Sequence, residues 1–276
     1  MVDQPEPRFS SDQLRRAARD RGLEISRRQI TDWVSLGLLD KATPRGRGQA
    51  KGKSYTWSRA QRDLLLTLLV HQQQRDPPAS RAMLTNIPVA VWLTWDDDLI
   101  PLRQVRRALQ TWTGRYARTT WSRAEVSARA VLDQLDHPDA DPADRQRLVD
   151  TIAHAGYQGS IDEPQLGALV ARVFDPHGSG LTRGPLGIMD SESYTKIVAA
   201  RTTALASLDT ADATYLTARA HYRQIGASTD PQLIKLRSLA GTIAGLGTIR
   251  SFDQVVSNAC IDLITVLGHV LRAERS

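Results

Sequence analysis

Cysteine is all but missing from this chain: among 276 residues there is one, Cys260. An intrachain disulfide is impossible, a thiolate metal cage is excluded, and a reducing compartment is expected. Cys260 lies in an apolar run and reads as a small core residue rather than a redox sensor. Aromatic residues are also few, at 5%. No apolar run approaches the roughly 18 residues that a membrane span requires, so no membrane partner is expected. The opening MVDQPEPRFS lacks the apolar core of a secretory signal, and a cytoplasmic location is expected.

Catalytic patterns are missing too. Six histidines, His71, His137, His154, His177, His221 and His269, are scattered and make no HExxH. GSGLTRGPLG, from Gly178, lacks both the Lys-Ser/Thr of a phosphate-binding loop and the G-x-G-x-x-G spacing, and reads as a connector. Asp96-Asp97-Asp98 reads as a solvated turn or helix cap. The expectation is a non-enzyme with no cofactor and no metal site.

What is present is ordinary in amount and uneven in place. Hydrophobic residues make up 41% and charged residues 24%, the balance of a soluble globular protein long enough for two domains. Arg outnumbers Lys and Ala is abundant, the composition of a GC-rich, bacterial genome. The net charge is +6, yet residues 1–62 hold 14 Lys and Arg against 7 Asp and Glu, and the remainder 22 against 23. Positive charge gathered in one segment is the electrostatic footprint of polyanion binding.

That segment has a pattern. Ser10 and Ser11 precede DQLRRAARDRG, where Leu14, Ala17 and Ala18 fall at helical spacing; a serine hydroxyl there satisfies a free amide of the first turn. Gly22 ends the helix by taking the left-handed conformation. Ser26 caps a second helix, RRQITDWVSLG, with Ile30, Trp33 and Val34 on its buried face. Arg28, Gln29 and Asp32 lie on the opposite face, with Arg27 and Thr31 at its edges. Arg and Gln have the donor geometry for guanine and adenine edges in a major groove, and Thr and the helix N-terminus suit phosphate. Alone, the pattern equally describes a solvated charged face. The sequel, DKATPRGRGQAKGKSYTW, places Arg45, Arg47, Lys51 and Lys53 among Pro44, Gly46, Gly48 and Gly52, then exits through Ser54-Tyr55-Thr56-Trp57. It predicts a basic two-stranded wing lying along phosphates, with Tyr55 on the exit strand. Ser58 then caps RAQRDLLLTLLVHQQQ, whose Leu65, Leu68 and Leu69 close a small core.

The order of these pieces resembles the N-terminal domain of the MerR family of bacterial regulators. ISRRQITDWVSLGLL is similar to the family's capped recognition helix ending in Gly-Leu-Leu. KSYTWSRAQRDLLLTLL resembles its exit strand and the Ser-capped helix that follows. The resemblance covers residues 9–72, about a quarter of the chain, and implies a winged helix-turn-helix that works as a dimer on double-stranded DNA. Thr31, Asp32 and Trp33 stand where the family usually has Arg-Tyr-Tyr, and the wing is longer and richer in glycine, so no operator preference carries over.

Pro77 and Pro78 cannot continue a helix, and they suggest a boundary between a DNA-binding domain at 1–76 and an all-helical domain at 77–276. LTNIPVAVWLTW, residues 84–95, reads as a buried helix or a short strand, with helix preferred. Further helices follow, one starting at Ser122 with Glu125 as a capping box. Residues 177–187 read as the longest irregular stretch. From Ser193 to Ile225, Tyr194, Val198, Leu205, Leu208, Ala211, Tyr215, Ala218 and Tyr222 recur near the seven-residue spacing of a helix seam. Pro231 opens the last segment, where Leu233–Leu271 is apolar on more than one face and is either buried or half of a dimer interface. Gly241, Gly245 and Gly247 there suit close helix packing.

The fold expected is mainly α: a winged helix-turn-helix, then an all-α domain. The function expected is a sequence-specific, homodimeric, nucleoid-associated transcriptional regulator, its C-terminal domain dimerising and taking a small-molecule or protein effector. Two alternatives fit the same residues. One is a phage or plasmid DNA-binding protein of repressor or excisionase type. The other is a non-catalytic helical adaptor whose basic module meets an acidic partner.

Overall fold

A computed structural model describes residues 7–45, 54–73, 79, 81–95, 99–114, 120–132, 137–158, 162–178, 182–184, 187–227 and 252–275. The chain is mainly α-helical and divides into two compact units, Met1–Trp112 and Thr113–Ser276. Among the described residues no helix is long and apolar enough to cross a membrane.

The first unit contains α1 (Ser11–Arg19), α2 (Arg27–Ser35), β1 (Thr43–Arg45), β2 (Ser54–Thr56), α3 (Arg59–Gln73), α4 (Arg81–Thr94) and α5 (Leu102–Trp112). Its caps follow from the serines. The Ser10 hydroxyl accepts from the Gln13 amide and the Gln13 side chain accepts from the Ser10 amide, a reciprocal capping box. Ser26 caps α2 through the Gln29 amide at 3.0 Å, and Ser58 caps α3 through the Gln61 amide at 3.2 Å. Gly22 takes φ +70°, as the end of α1 requires.

The core of this unit joins Leu14 and Ala18 of α1, Ile30 and Trp33 of α2, Leu38, Leu39 and Trp57, and Leu65, Leu68 and Leu69 of α3. Strands β1 and β2 pair antiparallel with Thr43 opposite Thr56 and Arg45 opposite Ser54. Phe9 extends the ribbon by a bridge to Trp57, with both amide-to-carbonyl distances 2.9 Å. LTNIPVAVWLTW is helical, within α4, and Pro88 is accommodated inside it. The compact unit extends well beyond Pro77 and Pro78. Helix α4 packs on α3 and α5, and the α5 backbone meets Gly37 so closely that a Cβ there would lie 2.2 Å from the Ala108 nitrogen. Gly37 also holds φ +76°, a second reason for glycine at this turn.

The second unit contains α6 (Trp121–Leu132), α7 (Pro142–Gln158), α8 (Glu163–Phe174), β3 (Thr182–Gly184), β4 (Gly187–Met189), α9 (Ser191–Ala206), α10 (Asp212–Ala227) and α11 (Phe252–Ala273). Leu132, Leu148, Val149, Ile152, Leu166, Val170, Phe174, Tyr194 and Val198 share one core. Within it the Phe174 and Tyr194 rings stack at 5.0 Å. Asp162 and Asp190 cap α8 and α9, and the hydrogen bond from the Ser193 amide holds the Asp190 carboxyl below the usual carboxylate range. Helix α11 crosses α9 at Gly268, where a Cβ would lie 1.8 Å from the Ala200 carbonyl oxygen. Arg201 is fully buried at this crossing and donates to Thr265 at 2.9 Å. Burial pulls its pKa down to about 10, against the attraction of Asp262.

Four expectations change here. Residues 177–187 are not wholly irregular, because Thr182–Gly184 pairs antiparallel with Gly187–Met189. The 193–225 segment is two helices, broken where the Ser207 and Thr210 amides turn back onto Ala204 and Ser207. Its spaced apolar residues are nonetheless buried, except Ala211 in the break. The α6 helix begins at Trp121, one residue before Ser122, and Glu125 accepts from Arg129 at 2.8 Å. Helix α11 is buried on nearly all sides within its own unit, with Cys260 at 0% exposure in the core. Asp96–Asp98, Pro231, Gly241, Gly245 and Gly247 lie outside the described residues.

Candidate nucleic-acid interface

Helix α2 presents one apolar and one polar side, and the sequence dictates which is which. Ile30 and Trp33 are buried, so Arg28, Thr31, Asp32 and Ser35, three to four residues apart, share the outward face. The residues expected to act together occupy three different situations.

Arg27 is exposed but engaged. Its guanidinium donates to both carboxylate oxygens of Asp12 on α1, at 2.8 and 2.7 Å through Nη2. These hydrogen bonds hold the Asp12 carboxyl below its ordinary value and raise that of Arg27. Arg28, one residue on, is exposed with no partner among the described residues. Gln29 is half-buried, and its amide donates to Gln72 of α3 at 2.9 Å, which turns it inward. Thr31 is exposed, although its hydroxyl donates to the Arg27 carbonyl at 3.2 Å. Asp32 is exposed beside it.

Tyr55, on β2, is 55% exposed although Thr56 and Trp57 beside it are buried. Arg45 ends β1 opposite Ser54. Arg47, Lys51 and Lys53 lie outside the described residues.

Three features escaped the sequence reading. Ser35 belongs to the outward face of α2, one turn beyond Thr31 and Asp32. Arg15 and Arg19, one turn apart on α1, line an open depression of about 570 Å³ with Ser26 and Gln29 at the start of α2. Their i, i+4 spacing was visible, but nothing in the sequence places α1 against the α2 N-terminus.

The third feature is the root of the hairpin. Asp40, between α2 and β1, is buried; Arg103 of α5 donates to its two carboxylate oxygens at 3.0 and 2.5 Å, and Arg107 donates at 3.1 Å. Burial works against the charged carboxylate, but hydrogen bonds from Arg103, the Lys41 amide and Arg107 outweigh it, and its pKa lies below the ordinary value. The Trp57 indole donates to the Asp40 carbonyl at 2.9 Å, and Gln61 accepts from the Asp40 amide at 2.8 Å. Gln61 also donates to Gln104, which donates to the Leu38 carbonyl at 3.0 Å. Both ends of the hairpin are thereby fixed to α3 and α5.

Compared with protein-family models, curated proteins and solved structures, the chain has no significant match.

Proposed function

We propose that the first unit is a winged helix-turn-helix module, and that the chain is a sequence-specific regulator of double-stranded DNA. The observation that carries this reading is a juxtaposition. A capped helix with Arg28, Thr31, Asp32 and Ser35 facing outward is followed directly by a hairpin whose connection holds Arg47, Lys51 and Lys53. Charge supports it at larger scale: Met1–Trp112 holds 19 Lys and Arg against 12 Asp and Glu, and Thr113–Ser276 holds 17 against 18.

In this reading α2 enters the major groove and Arg28 reaches a base edge, while Thr31 and Ser35 meet phosphate or base edges beside it. A phosphate sits over the α2 N-terminus, where unpaired amides and the guanidinium of Arg19 supply positive potential. The wing cations and Tyr55 track the backbone. Two such modules on a symmetric site require a homodimer. The apolar seam of α9 and α10 is buried within one chain, so the dimer surface is a different one.

The test is selection of duplexes from genomic fragments by the full chain, followed by anisotropy titration. A recurrent symmetric motif bound at least tenfold more tightly than a scrambled duplex is the expected result. Equal binding to both, or none, removes the reading.

A further inference from the structure

Outside the helix and hairpin of the first unit, the second unit brings two histidines and a carboxylate together from distant parts of the chain. Each lies on a turn stiffened by proline: His137-Pro138-Asp139 before α7, and Asp175-Pro176-His177 after α8. Backbone bonds place the turns side by side. The His137 amide donates to the Val173 carbonyl at 3.3 Å, and the Ala140 and Gly178 amides close the two turns at 3.1 Å each. Arg145 of α7 donates to the carbonyls of His137 and Pro138.

The side chains converge in this frame. His177 Nε2 lies 3.2 Å from Asp139 Oδ2, and His137 Nδ1 lies 3.9 Å from the same oxygen. One ligand atom from each of the three falls within 4.8 Å of the others. A tetrahedral zinc ion with bonds of about 2.0–2.2 Å needs its ligand atoms about 3.4 Å apart, so closure asks for movements of about 1 Å. His137 Nδ1 accepts from the Asp139 amide at 3.1 Å, so this nitrogen carries a lone pair rather than a proton.

The surroundings favour a cation. Asp139 and His177 open into a cleft of about 750 Å³ that Asp141, Asp144 and Asp175 also line. The one cationic side chain in its lining, Arg172, is paired with Asp144 at 3.2 Å. Imidazole nitrogen with carboxylate oxygen suits first-row divalent ions, zinc foremost, and not magnesium or calcium, which take oxygen ligands.

We infer that His137, Asp139 and His177 form a binding site for a divalent transition-metal ion, with zinc as the best-fitting ion. Three protein ligands leave one position for water, the arrangement of an open site. The ion ties the turn before α7 to the turn after α8, so it stabilises the second unit.

Untagged full-length chain, stripped with a chelator and dialysed, is titrated with zinc chloride against a chromophoric competitor, and its melting is followed with and without zinc. The expected result is one zinc per chain and a rise in the melting temperature. His177→Ala and Asp139→Asn should each weaken binding about tenfold or more and abolish the rise, while His221→Ala, an exposed histidine elsewhere, changes neither. Cobalt should give visible bands that are lost in His177→Ala. His177 and Asp139 are both exposed, so the variants should melt like the wild type without metal. If Asp139→Asn does not, His177→Ala decides alone. Absence of stoichiometric binding overturns the inference. So does unchanged binding in His177→Ala, which would leave the His177–Asp139 contact as a surface ion pair.

Discussion

Arg27, Arg28 and Gln29 are consecutive, and their surroundings separate them into three jobs. Arg27 pairs with Asp12 and fixes α2 to α1; Gln29 bonds to Gln72 and fixes α2 to α3; Arg28 is left facing outward. Replacing Arg28 with Ala should therefore cost about 1–3 kcal/mol on a specific duplex and much less on a scrambled one. Gln29→Ala should instead lower the melting temperature and weaken both duplexes together. Anisotropy on both duplexes, paired with thermal melts, separates the two, and a specific loss in Gln29→Ala with unchanged melting would reverse the assignment. Periodicity had placed Gln29 beside Arg28 on the polar face. It could not reveal Gln72, because a hydrogen bond spanning 43 positions leaves no local pattern. Trp33, read as core from the same periodicity, is 3% exposed, and Trp33→Ala should cost about 3–5 kcal/mol. Asp40 has a further, pH-dependent consequence. Its folded pKa lies below the unfolded value, so its contribution is complete above the ordinary carboxylate range and disappears as pH falls through that range. Urea melts of wild type and Asp40→Asn should differ by about 1–3 kcal/mol at neutral pH and converge in acid. A difference that persists below pH ~3 would assign the loss to packing instead.

Elements were legible where their signals are local. The caps at Ser10, Ser26 and Ser58, the glycine at 22 and the buried leucines of α3 follow from spacing and turn chemistry, and the structure has them. The role of α5 was not legible. Its Arg103, Gln104 and Arg107 reach Asp40, Gln61 and Leu38 across more than 40 positions, and a helix reads the same whether or not such contacts exist. Nor does Gly37 announce in sequence that it faces the α5 backbone. The consequence is a change in where the first unit can be cut. A 1–76 fragment loses both arginines that neutralise buried Asp40, the Gln104 bond to Leu38, and the apolar cover that α4 and α5 supply. A 1–112 fragment keeps all of them. Chemical denaturation should give a cooperative transition for 1–112 and a weak or absent one for 1–76. Equal stability of the two would mean that α5 merely leans on the module. Gly37→Ala belongs to the same test. It meets both a positive φ and the Ala108 nitrogen, and should destabilise 1–112 by more than about 1 kcal/mol.

The whole molecule divides its labour by charge. The first unit carries the excess cations, and the second, with 17 Lys and Arg against 18 Asp and Glu, has none to offer a polyanion. Counterion release then comes from the first unit alone, and its amount reports how many such units touch DNA. Each phosphate neutralised contributes about 0.9 to the slope of log affinity against log salt. A homodimer on a palindrome engages two modules, whereas on a duplex holding one half-site it engages one. The salt slope of the full chain on the palindrome should therefore be about twice that on the half-site. Lys51→Gln should reduce the slope by about one unit per engaged module, hence about two on the palindrome, and should weaken scrambled and specific duplexes alike. Anisotropy titrations across a salt series measure all of these with one protein. Equal slopes on palindrome and half-site would mean that one module binds at a time, and a homodimer would then have no part in recognition.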